Sequence, residues 1–142
     1  MSVSRSPLAR PQVEAPLVIV GTVQHGRQLA RTLGFPTANV RLPKDSPAAF
    51  GVYATRTLLA DGRMFDGVAS IGTNPTFGAV DPVLEVWLFD FDEDIYGQTV
   101  RVALVAFLRE ERTYASAEAL VDQVARDAEA ARQRLSTDPM VP

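Results

Sequence analysis

The chain has 142 residues, of which 46% are apolar and 22% charged, with a net charge of −3 at pH 7. That length suits one domain with a real core and is too short for two ordinary ones. There is no cysteine, which excludes disulfides, thiolate zinc sites and thiol nucleophiles; the interspersed charges offer no basic face for a nucleic acid, and no apolar run approaches the roughly 20 residues that span a bilayer.

The opening "MSVSRSPLARPQVEAP" lacks a hydrophobic stretch, so it is not a secretory signal. Residues 1–16 are expected to be a flexible leader, 17–136 the domain and 137–142 a loose tail, in a reducing cytoplasm. "PLVIVGTV" is β-branched and predicts a first strand ending near Val23. "QHGRQLARTLG" is too polar and glycine-marked for a core strand and predicts a loop. The segment after Pro36 is predicted to be extended, because a proline pushes its predecessor out of the helical region. "GVYATRTLLADGRMFDGVASIG" predicts a hairpin around the turn pair Asp61-Gly62. "VLEVWLFDF" and "TVRVALVAFLR" predict two more strands. From Ser116 the apolar residues Ala117, Leu120, Val121, Val124, Ala128, Ala131 and Leu135 follow a helical stripe, with Ser116 as N-cap. Strands followed by one amphipathic helix predict an antiparallel barrel or sandwich plugged by that helix.

Three features bear on chemistry. In "LGFPTANV", an extended backbone puts Thr37 and Asn39 on one side. Two neutral oxygens there suit a hydrated hard cation such as Mg²⁺ shared with phosphates; a turn in which both side chains cap local backbone is the plainer alternative. In "EVWLFDF", alternation puts Glu85 on the face of Trp87, Phe89 and Phe91. Apolar surroundings raise a carboxylate's pKa toward what a general base needs; a solvated strand Glu is the alternative. Gly21, Gly26, Gly34, Gly72 and Gly78 mark loops where backbone N–H groups can approach phosphate, and Arg109 could meet a polar ligand edge. Lys44 is the sole lysine and closes no glycine-rich loop, so a P-loop is absent; a sole histidine, His25, argues against His-rich metal sites.

The order and spacing of "GTVQHG", "LGFPTANV", "GVASIGTNPTFG", "LEVWLFDFDEDIYG", "VAFLREER" and the C-terminal helix resemble the riboflavin kinase family. The resemblance implies a six-stranded antiparallel Greek-key β-barrel with a C-terminal helix, and Mg²⁺-dependent transfer of the ATP γ-phosphate to the 5′-hydroxyl of riboflavin, giving FMN and ADP. It implies Glu85 as the catalytic base and Thr37 and Asn39 at the metal. Gly21, Val23, His25, Gly26, Arg31, Gly34 and Pro36 join them around the nucleotide, with Glu85, Trp87 and Arg109 toward the flavin. The expected partners are riboflavin or FMN, ATP or ADP and a separate FAD synthetase, with no nucleic acid and no membrane. Two residues depart from the family pattern, Ala30 where Gly is usual and Ser70 where Asn is common. The adenylyltransferase domain of bacterial members finds no room in this length. A non-catalytic flavin- or nucleotide-binding regulator on the same barrel is the competing expectation, and an interaction-only barrel is a third.

Overall fold

A computed structural model describes residues 16–24, 37–42, 45–73, 82–112 and 114–137. Among these the elements are β1 (Leu17–Gln24), β2 (Ala38–Arg41), β3 (Gly51–Leu58), β4 (Met64–Thr73), β5 (Pro82–Leu88), β6 (Thr99–Arg109) and one helix, α1 (Ala117–Thr137). The strands close into a barrel in the order β1-β2-β5-β4-β3-β6, and every neighbouring pair is antiparallel. β3, β4 and β5 follow one another across the sheet, and β6 returns beside β3, which is a Greek key.

The period-2 pattern builds two cores from one sheet. One set of side chains, including Val40, Ile71, Leu84, Val86, Val100 and Val102, fills the barrel interior. The opposite set, including Val52, Ala54, Val68 and Ala106, meets Ala128, Ala131 and Leu135 of α1. The helix therefore lies against the outer wall and does not plug the barrel, because the apolar outer faces of β3, β4 and β6 offer a stripe that matches its own. Two register shifts between β3 and β6 accompany this packing. They leave Val105 and Leu108 without partners in the ladder, and both pack into the helix-side core.

Both ends of α1 are secured. Ser116 Oγ accepts from the Ala119 N–H at 3.1 Å, the N-cap bond expected from sequence. At the other end the buried Arg56 donates through Nη2 to the Leu135 carbonyl at 2.8 Å. In the β3–β4 hairpin the Leu59 carbonyl accepts from Gly62 N–H and the Leu59 N–H donates to the Arg63 carbonyl. Gly62 has φ +95°, so the connection is a three-residue loop with glycine in the left-handed position.

One strand face differs from the sequence expectation. β5 ends at Leu88, and Phe89-Asp90 turn the chain with Asp90 at φ 58°. Alternation stops there. Phe91 packs against the barrel-interior cluster and meets Phe65 at a tilt, with ring centroids 4.8 Å apart, away from the face of Glu85.

Candidate active site

The site grows out of strand register. Asn39 pairs with Glu85, Glu85 with Ser70, Ser70 with Val52, and Val52 with Arg109. Directly opposed residues in antiparallel strands share a face with Cβ atoms about 4.5–5.5 Å apart. These five residues thus form one row across β2, β5, β4, β3 and β6 on the outer, helix-facing side. Above the row lies a cavity of about 260 Å³, lined by Thr37, Ser70, Glu85, Trp87, Arg109, Glu111, Tyr114 and, from α1, Leu120, Val124 and Asp127, among others.

Thr37, Glu85, Trp87 and Arg109 therefore line one cavity. Glu85 and Trp87 are both partly buried, and Trp87 meets Phe89 edge-on with ring centroids 5.2 Å apart. Asn39 is buried beside Glu85, and its Oδ1 has no hydrogen-bond partner among the described residues. A buried amide oxygen left in that state costs about 1–3 kcal/mol. A local backbone cap would have used that oxygen, and none of the described residues does. The oxygens of Thr37 and Asn39 also fit a hard cation that arrives with phosphates. No cluster of three or more His, Asp or Glu side chains able to hold a metal by itself occurs among the described residues.

Other predicted residues are placed differently. Gly21 lies in β1, where a Cβ would come within 2.5 Å of Val40 Cγ1, so its bareness serves packing. Val23 is in the barrel core, with its N–H donating to the Gln98 carbonyl and its carbonyl accepting from Gly97. His25, Gly26, Arg31, Gly34 and Pro36 lie outside the described residues, as do Ala30 and Gly78.

Arg109 lines the cavity, but its guanidinium is engaged. Nε and Nη2 donate to the two oxygens of Asp127 at 2.9 and 2.7 Å, and Nη1 donates to the Glu110 carbonyl at 2.9 Å. Gln123 adds a bond to Asp127 at 2.9 Å. The Asp127 hydrogen bonds hold the Arg109 guanidinium above its usual range against the opposing effect of burial. The pair clamps α1 to β6 and so fixes the helical wall of the cavity.

Sequence reading did not single out Asp127, Glu111 or Tyr114. Ser70 Oγ donates to Glu111 Oε2 in a short contact across 41 positions of chain. The Glu111 carboxylate lies where a side chain on Gly72 would sit. The Tyr114 hydroxyl is buried without a partner among the described residues, and Arg109 stands 5.9 Å over its ring. The i, i+4 spacing of Gln123 and Asp127 was the available signal for the clamp, while the Ser70–Glu111 contact left none.

The model of the riboflavin kinase family (Flavokinase) matches residues 13–135, and the chain belongs to that family. It is 42% identical over 125 residues to a bifunctional riboflavin kinase/FMN adenylyltransferase of Haemophilus influenzae, covering 88% of this chain and 41% of that protein. It is 41% identical over 113 residues to a Bacillus subtilis protein named an RNA-binding riboflavin kinase, covering 78% of this chain and 47% of that one. The chain thus spans less than half the length of these curated relatives. Among solved structures, riboflavin kinase from Trypanosoma brucei superposes with a TM-score of 0.61 at 27% identity, over 87% of this chain and 82% of that one. The closed barrel with its C-terminal helix is accordingly the riboflavin kinase fold.

Proposed function

We propose that this chain is a riboflavin kinase, which transfers the terminal phosphate of metal-bound ATP to the 5′-hydroxyl of riboflavin and releases FMN and ADP. The observation that carries the proposal is Glu85. It stands on the β5 face that lines the cavity, beside Trp87 and directly across from Asn39, in a chain of this family.

Glu85 would orient the 5′-hydroxyl and take its proton as the oxygen attacks phosphorus in line. Thr37 and Asn39 would hold the phosphate end through a divalent cation, with Mg²⁺ the ion their neutral oxygens suit best. When bound, that cation offsets the charge on the phosphate oxygens. Trp87 and the apolar side chains of β4 and α1 would cover the flavin ring and exclude water. Phosphoryl transfer depends chiefly on positioning and electrostatics, so the chain does not need a Walker lysine. The nucleotide would also meet His25, Gly26, Arg31, Gly34 and Pro36. The setting that fits is the cytoplasm, where a separate FAD synthetase would consume the FMN. No helix among the described residues is long and apolar enough to cross a membrane.

The test is FMN formation from riboflavin, ATP and Mg²⁺, followed by chromatography, in the wild type and in Glu85→Gln. FMN from the wild type, with riboflavin still bound but little FMN made by the variant, is the expected result. Flavin binding by the wild type without FMN would instead make the chain a flavin-binding regulator.

A further inference from the structure

The cavity is chemically divided. Val68 and Trp87, paired across β4 and β5, and Leu120 and Val124 of α1 give apolar walls, while two positions along the strands Ser70 pairs with Glu85, and Thr37 and Glu111 add further oxygens. Riboflavin is divided in the same way, into a planar ring system and a ribityl chain of hydroxyls. If its terminal hydroxyl meets Glu85, the internal hydroxyls must lie between Glu85 and the ring. Ser70 is the direct cross-strand neighbour of Glu85 and is bonded to Glu111.

We propose that Glu111 recognises the polyol chain of the substrate and that Ser70 orients its carboxylate for this. The inference rests on the riboflavin kinase reading of the same cavity. Glu111 is exposed at the cavity rim, and the Ser70 bond is the one hydrogen bond it makes among the described residues. An ionised carboxylate has about four acceptor sites, so most of its capacity faces whatever enters. The missing side chain of Gly72 lets the carboxylate lie against β4, two residues along the same strand face from Ser70, the cross-strand partner of Glu85. Vicinal hydroxyls are donors that such a carboxylate accepts through charge-assisted bonds. Ser70 and Glu111 are thus specificity determinants for the sugar-alcohol part of the ligand.

The experiment compares riboflavin with a flavin carrying a 5-hydroxypentyl chain in place of ribityl, which keeps the terminal hydroxyl and lacks the internal ones. Dissociation constants are read from flavin fluorescence for the wild type, Glu111→Ala, Glu111→Gln and Ser70→Ala. Glu111→Ala should weaken riboflavin roughly 10- to 100-fold, the scale of hydrogen bonds to a charged group, and change the hydroxypentyl flavin less than about two-fold. Ser70→Ala and Glu111→Gln should shift riboflavin in the same direction by less, and they carry the comparison if Glu111→Ala lowers the melting temperature. Equal loss for both flavins, or no loss for either, overturns the assignment. FMN formation by the wild type is scored separately. A wild type that binds riboflavin selectively through Glu111 but makes no FMN keeps this assignment and refutes the kinase reading. FMN formation with no discrimination by Glu111 does the reverse, and a wild type that binds neither flavin refutes both.

Discussion

Glu85 and Asn39 face each other across β2 and β5, and they should fail in different ways. Removing a general base slows turnover on the order of 10²–10⁴-fold. Glu85→Gln should therefore lose that much kcat while its riboflavin dissociation constant stays within a few-fold. Asn39 carries an amide oxygen that is buried and unpaired among the described residues. Replacing it with leucine, of similar size, removes an unsatisfied polar group, which is close to neutral or stabilising for the fold. Asn39→Leu should hold or raise the melting temperature of the free protein and abolish the upward shift that Mg·ADP produces. A free-protein melting temperature that falls by many degrees would mean that Asn39 serves the fold. These roles were half legible: alternation along "EVWLFDF" put Glu85 with Trp87, but nothing local showed that Asn39 would be its cross-strand neighbour.

At the scale of elements, the cavity depends on how α1 is held. Asp127 and the partly exposed Arg109 form a two-pronged ion pair in which Asp127 is only 5% exposed. Breaking one side of a buried pair strands the other charge, so Asp127→Ala should cost about 3 kcal/mol in denaturant unfolding. The double change Arg109→Met with Asp127→Leu should recover most of that. A second clasp joins the β3–β4 turn to the loop before β6. Arg63 binds Asp61 and, through both terminal nitrogens, Glu93 at 2.9 Å. The Arg63 backbone N–H on Asp61 and the Arg63 side chain on Glu93 hold both carboxyls below the usual range. Depressed values in the folded state mean that the unfolded chain takes up protons first as pH falls. The clasp therefore stabilises at neutral pH, and its contribution is lost as pH falls through the acid range toward the folded-state values. Arg63→Met should lower the melting temperature at pH 7, modestly because all three groups are exposed, and converge with the wild type at low pH, which flattens the acid limb of melting temperature against pH. The helix was plain in the sequence from its stripe and from Ser116. Its seat on the outer wall was not, since the bulges that turn Val105 and Leu108 toward it leave no mark in composition, and Asp127 reads in sequence as a solvated residue.

For the whole molecule, the β-rich runs and their turn residues left barrel or sandwich open and the family resemblance pointed to the barrel, while its closure and strand order are properties of pairing that no single run carries. The site is likewise a product of register: Ser70 and Glu111 meet across 41 positions, and Asn39 meets Glu85 across the barrel wall. The neutral oxygens of Thr37 and Asn39 suit a cation shared with phosphates, so in the proposed reaction the cation comes with the nucleotide. Chelation should thus stop FMN formation while leaving the melting temperature of the nucleotide-free protein unchanged; a drop on chelation would indicate a structural metal. The central claim is direct transfer from ATP to riboflavin in the cavity between the Glu85 row and α1. The measurement that tests it most directly is a single turnover with γ-labelled ATP, Mg²⁺ and riboflavin. The label should appear in FMN in step with ADP, with none on the protein. Label retained on the protein, or ADP formed while riboflavin stays unphosphorylated, would contradict it.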